Sequence, residues 1–109
     1  MPKTSNSSTT ARKQDLLTIP TPGDILLNDF LRPFGLSQNA LARAIGAPSR
    51  RINEIVLGKR AISADTDLRL TRYFGLSEGM FLRLQMDYDL RTQKRVLGRK
   101  LEAIRPRAA

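Results

Sequence analysis

Glycine and serine divide this chain into short apolar segments, and this regular punctuation constrains the fold more than any other sequence feature. A glycine follows an apolar stretch at four positions and a serine precedes the next stretch at three, namely Gly35, Gly46, Gly58 and Gly75, then Ser37, Ser63 and Ser77. Glycine adopts the left-handed conformation that ends helices, and a serine hydroxyl accepts a hydrogen bond from the free amides at a helix start. No segment alternates apolar and polar residues as a strand does. We therefore expect an all-α protein of five or six helices.

The first helix is predicted to follow Thr21 as its N-cap, with Pro22 in the first helical position and Asp24 in the first turn. Its buried face consists of Ile25, Leu26, Leu27, Phe30 and Leu31. Pro33 and Gly35 are expected to end it, since proline cannot continue a helix and glycine favours its C-terminal turn.

Two further short helices are predicted close together. The first covers residues 38–45 and ends at Gly46, and Pro48 opens the second, which runs to about Leu57. The inward-facing residues recur at spacings of three and four, as Leu41, Ala42 and Ile45, then Ile52, Ile55 and Val56. Helices joined so tightly must cross steeply, and the small Ala42 lets their backbones approach. This pattern indicates a helix-turn-helix.

The exposed face of the second helix carries side chains suited to reading DNA. It presents Ser49, Arg50, Asn53 and Glu54, with Arg51 alongside. Arginine and asparagine make bidentate contacts with base edges when such a helix lies in the major groove. Gln38, at the positive N-terminus of the preceding helix, is placed to meet a phosphate. The alternative is an ordinary helix pair with a solvated arginine face, but the coincidence of caps, glycine turn and confined basic charge favours DNA.

Charge also indicates an anionic partner. The chain has 19 Lys and Arg against 10 Asp and Glu, for a net charge of +9. The positive charge collects in residues 35–60 and again in residues 91–109. Such a balance favours nucleic acid, an acidic protein or a membrane surface as the partner.

Histidine and cysteine are absent from the sequence. The chain therefore lacks the commonest general base and the commonest ligands for zinc, copper or haem, and we expect no enzyme activity, metal or cofactor. The lack of a disulfide framework fits a reducing cytoplasm. No apolar run reaches the roughly 18 residues of a membrane span, and the polar first residues hold no signal-peptide core, so we expect no membrane contact.

Three segments together resemble a known family. "LSQNALARAIG", "PSRRINEIVLGKRAISADTDLRLTRYFG" and "FLRLQMDYDL" look like HigA-type antitoxins, within the larger Xre/lambda-repressor-like helix-turn-helix group. The similarity spans roughly Ile19 to Leu90. It implies a lambda-repressor-like bundle of five to six helices, and a homodimer that binds operator DNA and represses its own operon. It also implies a partner, a small HigB/RelE-like toxin that cleaves mRNA and is neutralised by this chain.

The resemblance assigns roles to individual side chains. The positions that match DNA-contacting ones are Gln38, Ser49, Arg50 and Asn53, and those that match backbone-contacting ones are Arg51, Lys59 and Arg60. Leu57 departs from the pattern, since these proteins often have asparagine there. Both ends of the chain are also longer than the pattern needs, which leaves open whether they bind toxin, DNA or nothing.

The chain is predicted to have three parts. Residues 1–18 are polar and form a disordered tail. Residues 19–90 form the helix-turn-helix DNA-binding domain, and residues 91–109 form a basic helical extension.

Two apolar stripes lie near the C-terminus on roughly opposite sides of a continuous helix. They consist of Phe81, Leu84 and Tyr88, and of Leu90, Leu97, Leu101 and Ile104. Either the chain bends near residues 87–89, or one long helix packs inward first and outward later. An outward stripe needs a partner, either the second subunit or the toxin. The alternative is a sixth helix folded back onto the core.

The leading hypothesis is thus an antitoxin and autorepressor, acting in the bacterial cytoplasm and on the nucleoid when bound to an inverted-repeat operator. The second is a stand-alone Xre-type transcriptional regulator without a toxin. The third is an RNA-binding or ribosome-associated protein, which the aromatic content of 6% disfavours because few rings are available to stack on bases.

Overall fold

The computed structural model describes residues 18–108, so almost all of the predicted polar tail, residues 1–18, lies outside the described residues. Within residues 18–108 the fold is all-α, as predicted, and contains no strand. The helices are α1 (Pro22–Ile25), α2 (Gln38–Ile45), α3 (Ser49–Val56), α4 (Ala64–Phe74), α5 (Met80–Leu97) and α6 (Arg99–Glu102). None of these helices is long and apolar enough to cross a membrane.

The start of α1 is the predicted one. The Thr21 hydroxyl accepts a hydrogen bond from the Asp24 amide at 3.0 Å, and Asp24 Oδ2 accepts one from the Thr21 amide at 3.1 Å. This reciprocal pair satisfies two backbone amides that have no partner inside the helix, and Pro22 has no amide to satisfy.

The rest of the first helix differs from the expected α-helix. Residues Leu26–Leu31 continue α1 as a π-helix, and the Arg32 amide donates to the Leu27 carbonyl five residues earlier at 2.9 Å. A π-helical turn places residues five apart on one face. Leu26 and Leu31 are therefore both buried, while Leu27 and Phe30 are only partly buried against the core.

The core collects one face from each helix between α1 and α5. Its members are Leu26, Leu31, Leu41, Ala42, Ile45, Ile52, Ile55, Ile62, Leu70 and Phe81. The predicted inward faces of α2 and α3 are confirmed, with Val56 partly rather than fully buried. Phe81, fully buried at the start of α5, packs its ring 5.4 Å from that of Phe30. This packing ties the last long helix to the first.

Local signals placed most helix ends correctly. The Ser37 hydroxyl accepts from the Ala40 amide at 3.0 Å, and the Ser63 hydroxyl accepts from the Thr66 amide at 3.4 Å. Gly75 ends α4 in the left-handed conformation, with φ 69° and ψ 38°. These caps depend on residues within four positions of one another, which is why the sequence reveals them.

The prediction that Ser77 caps α5 is wrong. The N-cap position is Gly79, at φ 89°, and the cap is supplied by Asp67 from α4. Asp67 Oδ2 accepts from the Gly79 amide at 2.7 Å, and Oδ1 accepts from Phe81 and Leu82 at 2.8 and 3.1 Å. A buried carboxylate with three amide donors outcompetes a local serine, since each charge-assisted bond is stronger than a neutral one.

The C-terminal region follows one of the two predicted alternatives. α5 continues without a break through residues 87–89, packing inward first and outward later. It ends at Gly98, and the short α6 is exposed throughout, so the alternative of a sixth helix folded onto the core is wrong. The outward stripe is left uncovered: Leu90, Leu97, Leu101 and Ile104 keep 55%, 39%, 42% and 70% of their surface exposed.

Candidate nucleic-acid interface

The turn between α2 and α3 consists of residues 46–48. Gly46 adopts the left-handed conformation, at φ 68° and ψ 34°, and its amide donates to the carbonyls of the last turn of α2. The Ala47 amide donates to the Ala42 carbonyl at 3.0 Å. Pro48 is extended, at φ −63° and ψ 140°, so it precedes α3 as the N-cap residue rather than opening it as predicted. The short turn fixes how α3 leaves α2.

α3 presents two faces of opposite character. Ile52 and Ile55 are buried in the core, and Ser49, Arg50 and Asn53 are exposed on the other side. Burial of one face therefore aims the polar face outward, as the spacing predicted.

A glycine of α1 lets the backbone of α3 pack closely against α1. A Cβ on Gly23 would lie 1.8 Å from the Ile55 carbonyl oxygen and 2.9 Å from Val56 Cα, which leaves no room for any side chain. The sequence predicted only a helix start around Gly23. Glycine disfavours the helical conformation, so its presence in the first turn of α1 was a signal that another backbone approaches there.

Two predicted site residues meet across the helix pair. Asn53 Nδ2, from α3, donates to Gln38 Oε1, from the start of α2, at 3.2 Å. Each amide has one further hydrogen-bonding group, the Gln38 nitrogen and the Asn53 oxygen. The pair thus offers a donor and an acceptor side by side, which suits a base edge, and the Gln38 donor by itself suits a phosphate.

The carboxylate of Glu54 holds a second group of side chains together. Glu54 was predicted to lie on the exposed face that can reach DNA, but was not among the predicted DNA-binding residues. Glu54 Oε1 accepts from Arg60 Nε at 2.8 Å, and Oε2 accepts from Arg50 Nε at 3.1 Å. The hydrogen bonds from Arg60 and then Arg50 lower the pKa of the Glu54 carboxyl below its usual value. The Arg50 side chain is 85% exposed, so it is the most accessible of these groups.

Arg51 lies apart from the other predicted site residues. Its Nη1 is 2.6 Å from Asp65 Oδ2, at the start of α4, and its side chain is only 28% exposed. The same carboxylate oxygen accepts from Arg69 Nε at 3.0 Å, and Arg69 Nη1 donates to the carbonyls of Ile45 and Gly46 at 2.9 and 3.1 Å. Hydrogen bonds from Arg69 and then Arg51 lower the pKa of Asp65. This network fastens α3 and the turn to α4.

Asp65 and Arg69 were not predicted as positioning residues. Their four-residue spacing on α4 is that of an ordinary surface ion pair. Their contacts with Arg51 and with the α2 carbonyls span 14 to 24 positions in the chain, and no local pattern encodes such distances.

The remaining predicted residues flank α3. Ser49 is its first residue, and Lys59 lies in the loop that follows it. The Lys59 amide donates to the Glu54 carbonyl at 2.8 Å, which ties the loop to the helix. Within residues 18–108, the Lys59 ammonium forms no ion pair with a carboxylate. The structure therefore joins Gln38 to Asn53 directly and Arg50 to Arg60 through Glu54, and it turns Arg51 toward α4.

Comparison with known proteins gives this arrangement its context. The Helix-turn-helix family model matches residues 27–81, which include the whole of α2, α3 and α4. Virulence-associated protein I of Dichelobacter nodosus is 51% identical over 70 residues, covering 64% of this chain. The chain spans 65% of the length of that curated relative.

Two solved structures from Pseudomonas aeruginosa are similar over most of the chain. One is a protein in complex with its operator DNA (18 bp), with 42% identity, coverage of 81% of this chain and 94% of that one, and a TM-score of 0.77. The other is antitoxin HigA with the higBA promoter, with 40% identity, coverage of 82% and 99%, and a TM-score of 0.76. The chain therefore belongs to the helix-turn-helix family and, within it, to the HigA-type antitoxins.

Proposed function

We propose that this chain is a homodimeric repressor that binds operator DNA through α3, and an antitoxin that neutralises a HigB/RelE-like toxin. The observation that carries the DNA-binding half is the outward face of α3, where Arg50 and Asn53 are exposed and Asn53 is hydrogen-bonded to Gln38. The chain is similar to antitoxin HigA, whose structure was solved with its promoter, and this similarity supports placing that face in the major groove.

The proposal divides the site residues by role. Arg50 and Asn53 read base edges, and Gln38 and Ser49 complete the contacts at the two helix starts. The residues that contact the sugar-phosphate backbone of DNA are Arg51, Lys59 and Arg60. Arg51 can fill this role while it stays bonded to Asp65, since a guanidinium has five N–H donors and the bond from Nη1 to Asp65 uses one of them.

Dimerisation is the second element. A single helix-turn-helix buries little surface, so useful affinity requires two copies on half-sites about one DNA turn, roughly 34 Å, apart. We infer three parts for the chain: the tail 1–18, the DNA-binding domain 19–90 and the extension 91–109. The uncovered stripe of α5 and α6 supports a protein-contact role for the extension, with the second subunit or the toxin as the contact.

The toxin partner is inferred from the names of relatives. One of the two similar Pseudomonas aeruginosa proteins is antitoxin HigA, whose solved structure includes the higBA promoter. We infer the same pairing here, with no catalytic role for this chain, no cofactor and no membrane contact. Its place of action is then the bacterial cytoplasm, on the nucleoid when it is bound to DNA.

Two experiments test the proposal. Footprinting on the DNA upstream of the gene should reveal an inverted repeat, protected by a dimer. Co-expression with the adjacent open reading frame should yield a complex that suppresses the neighbour's toxicity. A stable monomer that protects one half-site contradicts the dimer. Binding to the operator without a toxic neighbour leaves the stand-alone Xre-type regulator as the function.

A further inference from the structure

One acidic residue, Glu54, lies among the basic side chains of α3. A carboxylate on a surface that meets phosphates reduces the attraction on which protein–DNA affinity depends. Glu54 is 24% exposed and is not buried in the core, so packing does not account for it. Its partners do suggest a role.

The two oxygens of Glu54 hold two different arginines, and they hold them unequally. Arg60 Nε donates to Oε1 at 2.8 Å, and Arg60 Nη2 lies 2.8 Å from the same oxygen. Arg50 donates once to Oε2, at 3.1 Å, and its side chain is far more exposed than that of Arg60, 85% against 49%. Arg50 is therefore the arginine that leaves the carboxylate more easily.

We propose that Glu54 is a specificity-determining positioning residue, which holds Arg50 by its Nε in place to read an operator base and keeps it from the phosphates of nonspecific DNA. This inference rests on the proposed function, because it requires α3 to enter the major groove. It concerns which DNA is bound and not whether DNA is bound.

The physical argument compares two kinds of DNA. On random DNA, Arg50 must give up its bond to Glu54 to bind a phosphate, so the favourable term is offset. On the operator, Arg50 keeps its Nε bond to Glu54 and makes the bidentate guanine contact with the donors of Nη1 and Nη2, a contact that random sequence does not supply. Arg60 also stays bonded to Glu54 and meets the DNA backbone with its remaining N–H donors. The carboxylate thus weakens nonspecific binding more than it weakens operator binding.

The test is Glu54→Gln, which keeps the side-chain shape and removes the charge. Binding is measured on the operator fragment and on a random duplex of equal length, at several salt concentrations. We expect nonspecific affinity to rise, by up to about fivefold per protomer, the range of an exposed ion pair. The salt slope on random DNA should steepen by about 0.9 for each additional phosphate that the variant neutralises. The ratio of specific to nonspecific affinity should fall.

Two further variants separate position from net charge. Glu78→Gln makes the same chemical change at an exposed residue between α4 and α5, outside the helix pair, and should leave the specificity ratio near that of the unmodified chain. Adding Arg50→Ala to Glu54→Gln removes the released arginine and should reverse the steeper slope on random DNA. Thermal melts of all variants confirm that they are folded.

Results that contradict the inference differ from the result that contradicts the proposed function. If Glu54→Gln lowers operator affinity and leaves random-DNA affinity unchanged, Glu54 reads a base itself and the inference is wrong. A steeper slope on random DNA that persists after Arg50→Ala also overturns it. If the unmodified chain shows no preference for its own upstream DNA, it is the proposed function that fails.

Discussion

Gly23 and Ile55 approach so closely that a Cβ on the glycine would lie 1.8 Å from the isoleucine carbonyl oxygen. The first turn of α1 therefore rests directly on the backbone at the end of α3. Because the position of α3 is set by what lies behind it, this contact determines how far Arg50 and Asn53 project toward DNA.

Gly23→Ala should destabilise the chain by about 1–3 kcal/mol, since overpacking a filled site forces the backbone to move. Operator affinity should fall further than the loss of folded protein explains, because α3 itself is displaced. Chemical denaturation measures the first effect and DNA titration of the folded fraction measures the second. As a control, Gly35→Ala introduces strain at φ 60° but meets no atom within 4 Å, so it should affect stability without a separate loss of DNA affinity. If both variants lower the DNA affinity of the folded fraction equally, the contact between Gly23 and Ile55 does not position α3 for DNA.

Arg50→Ala should cost about 1–3 kcal/mol on the operator and relax the preference at one base pair per half-site, because a bidentate guanine contact is lost. Binding is measured on the operator and on single-base variants of it. Lys59→Ala is the matched control, which should weaken all sequences alike and reduce the salt slope by about 1 per protomer. A uniform loss for Arg50→Ala would reassign it as a phosphate contact.

Acid should loosen the link between α3 and α4. The pKa of Asp65 is lowered in the folded chain by hydrogen bonds from Arg69 and Arg51, so its contribution to stability is present above the unfolded pKa of about 3.9 and is lost as pH falls through the lower folded value. In Asp65→Asn this contribution is absent at every pH. The difference in melting temperature between the unmodified chain and Asp65→Asn should therefore shrink on acidification below about pH 4. A difference that is independent of pH would contradict the assignment.

Truncation after Leu90 tests the extension. Leu97, Leu101 and Ile104 are exposed on α5 and α6, so apolar burial against a protein partner would contribute about 25 cal/mol per Å². We expect the shortened chain to change in size or to lose toxin binding, while the salt slope of DNA binding per subunit is unchanged. A shortened chain that stays dimeric, still neutralises toxin and has a reduced slope would show that the extension binds DNA phosphates instead.

The sequence by itself determined the helices and the faces that they bury. Ser37 and Gly46 bracket α2, and both act through hydrogen bonds to residues at most four positions away. The spacing of Leu41, Ala42 and Ile45 requires only the geometry of a helix. These features were predictable because the interactions behind them are local.

Only the tertiary structure decided which partner each charged or polar side chain takes. Asp67 caps α5 from 12 to 15 positions away, and Arg51 turns to Asp65 rather than outward. Glu54 could have paired with any of several nearby cations, yet it holds Arg50 and Arg60. A hydrogen bond or an ion pair forms wherever packing brings the two groups within about 3 Å, and the packing depends on contacts between residues distant in the chain. For this reason the sequence placed the candidate site on α3, while the hydrogen bonds that position its side chains came from the fold.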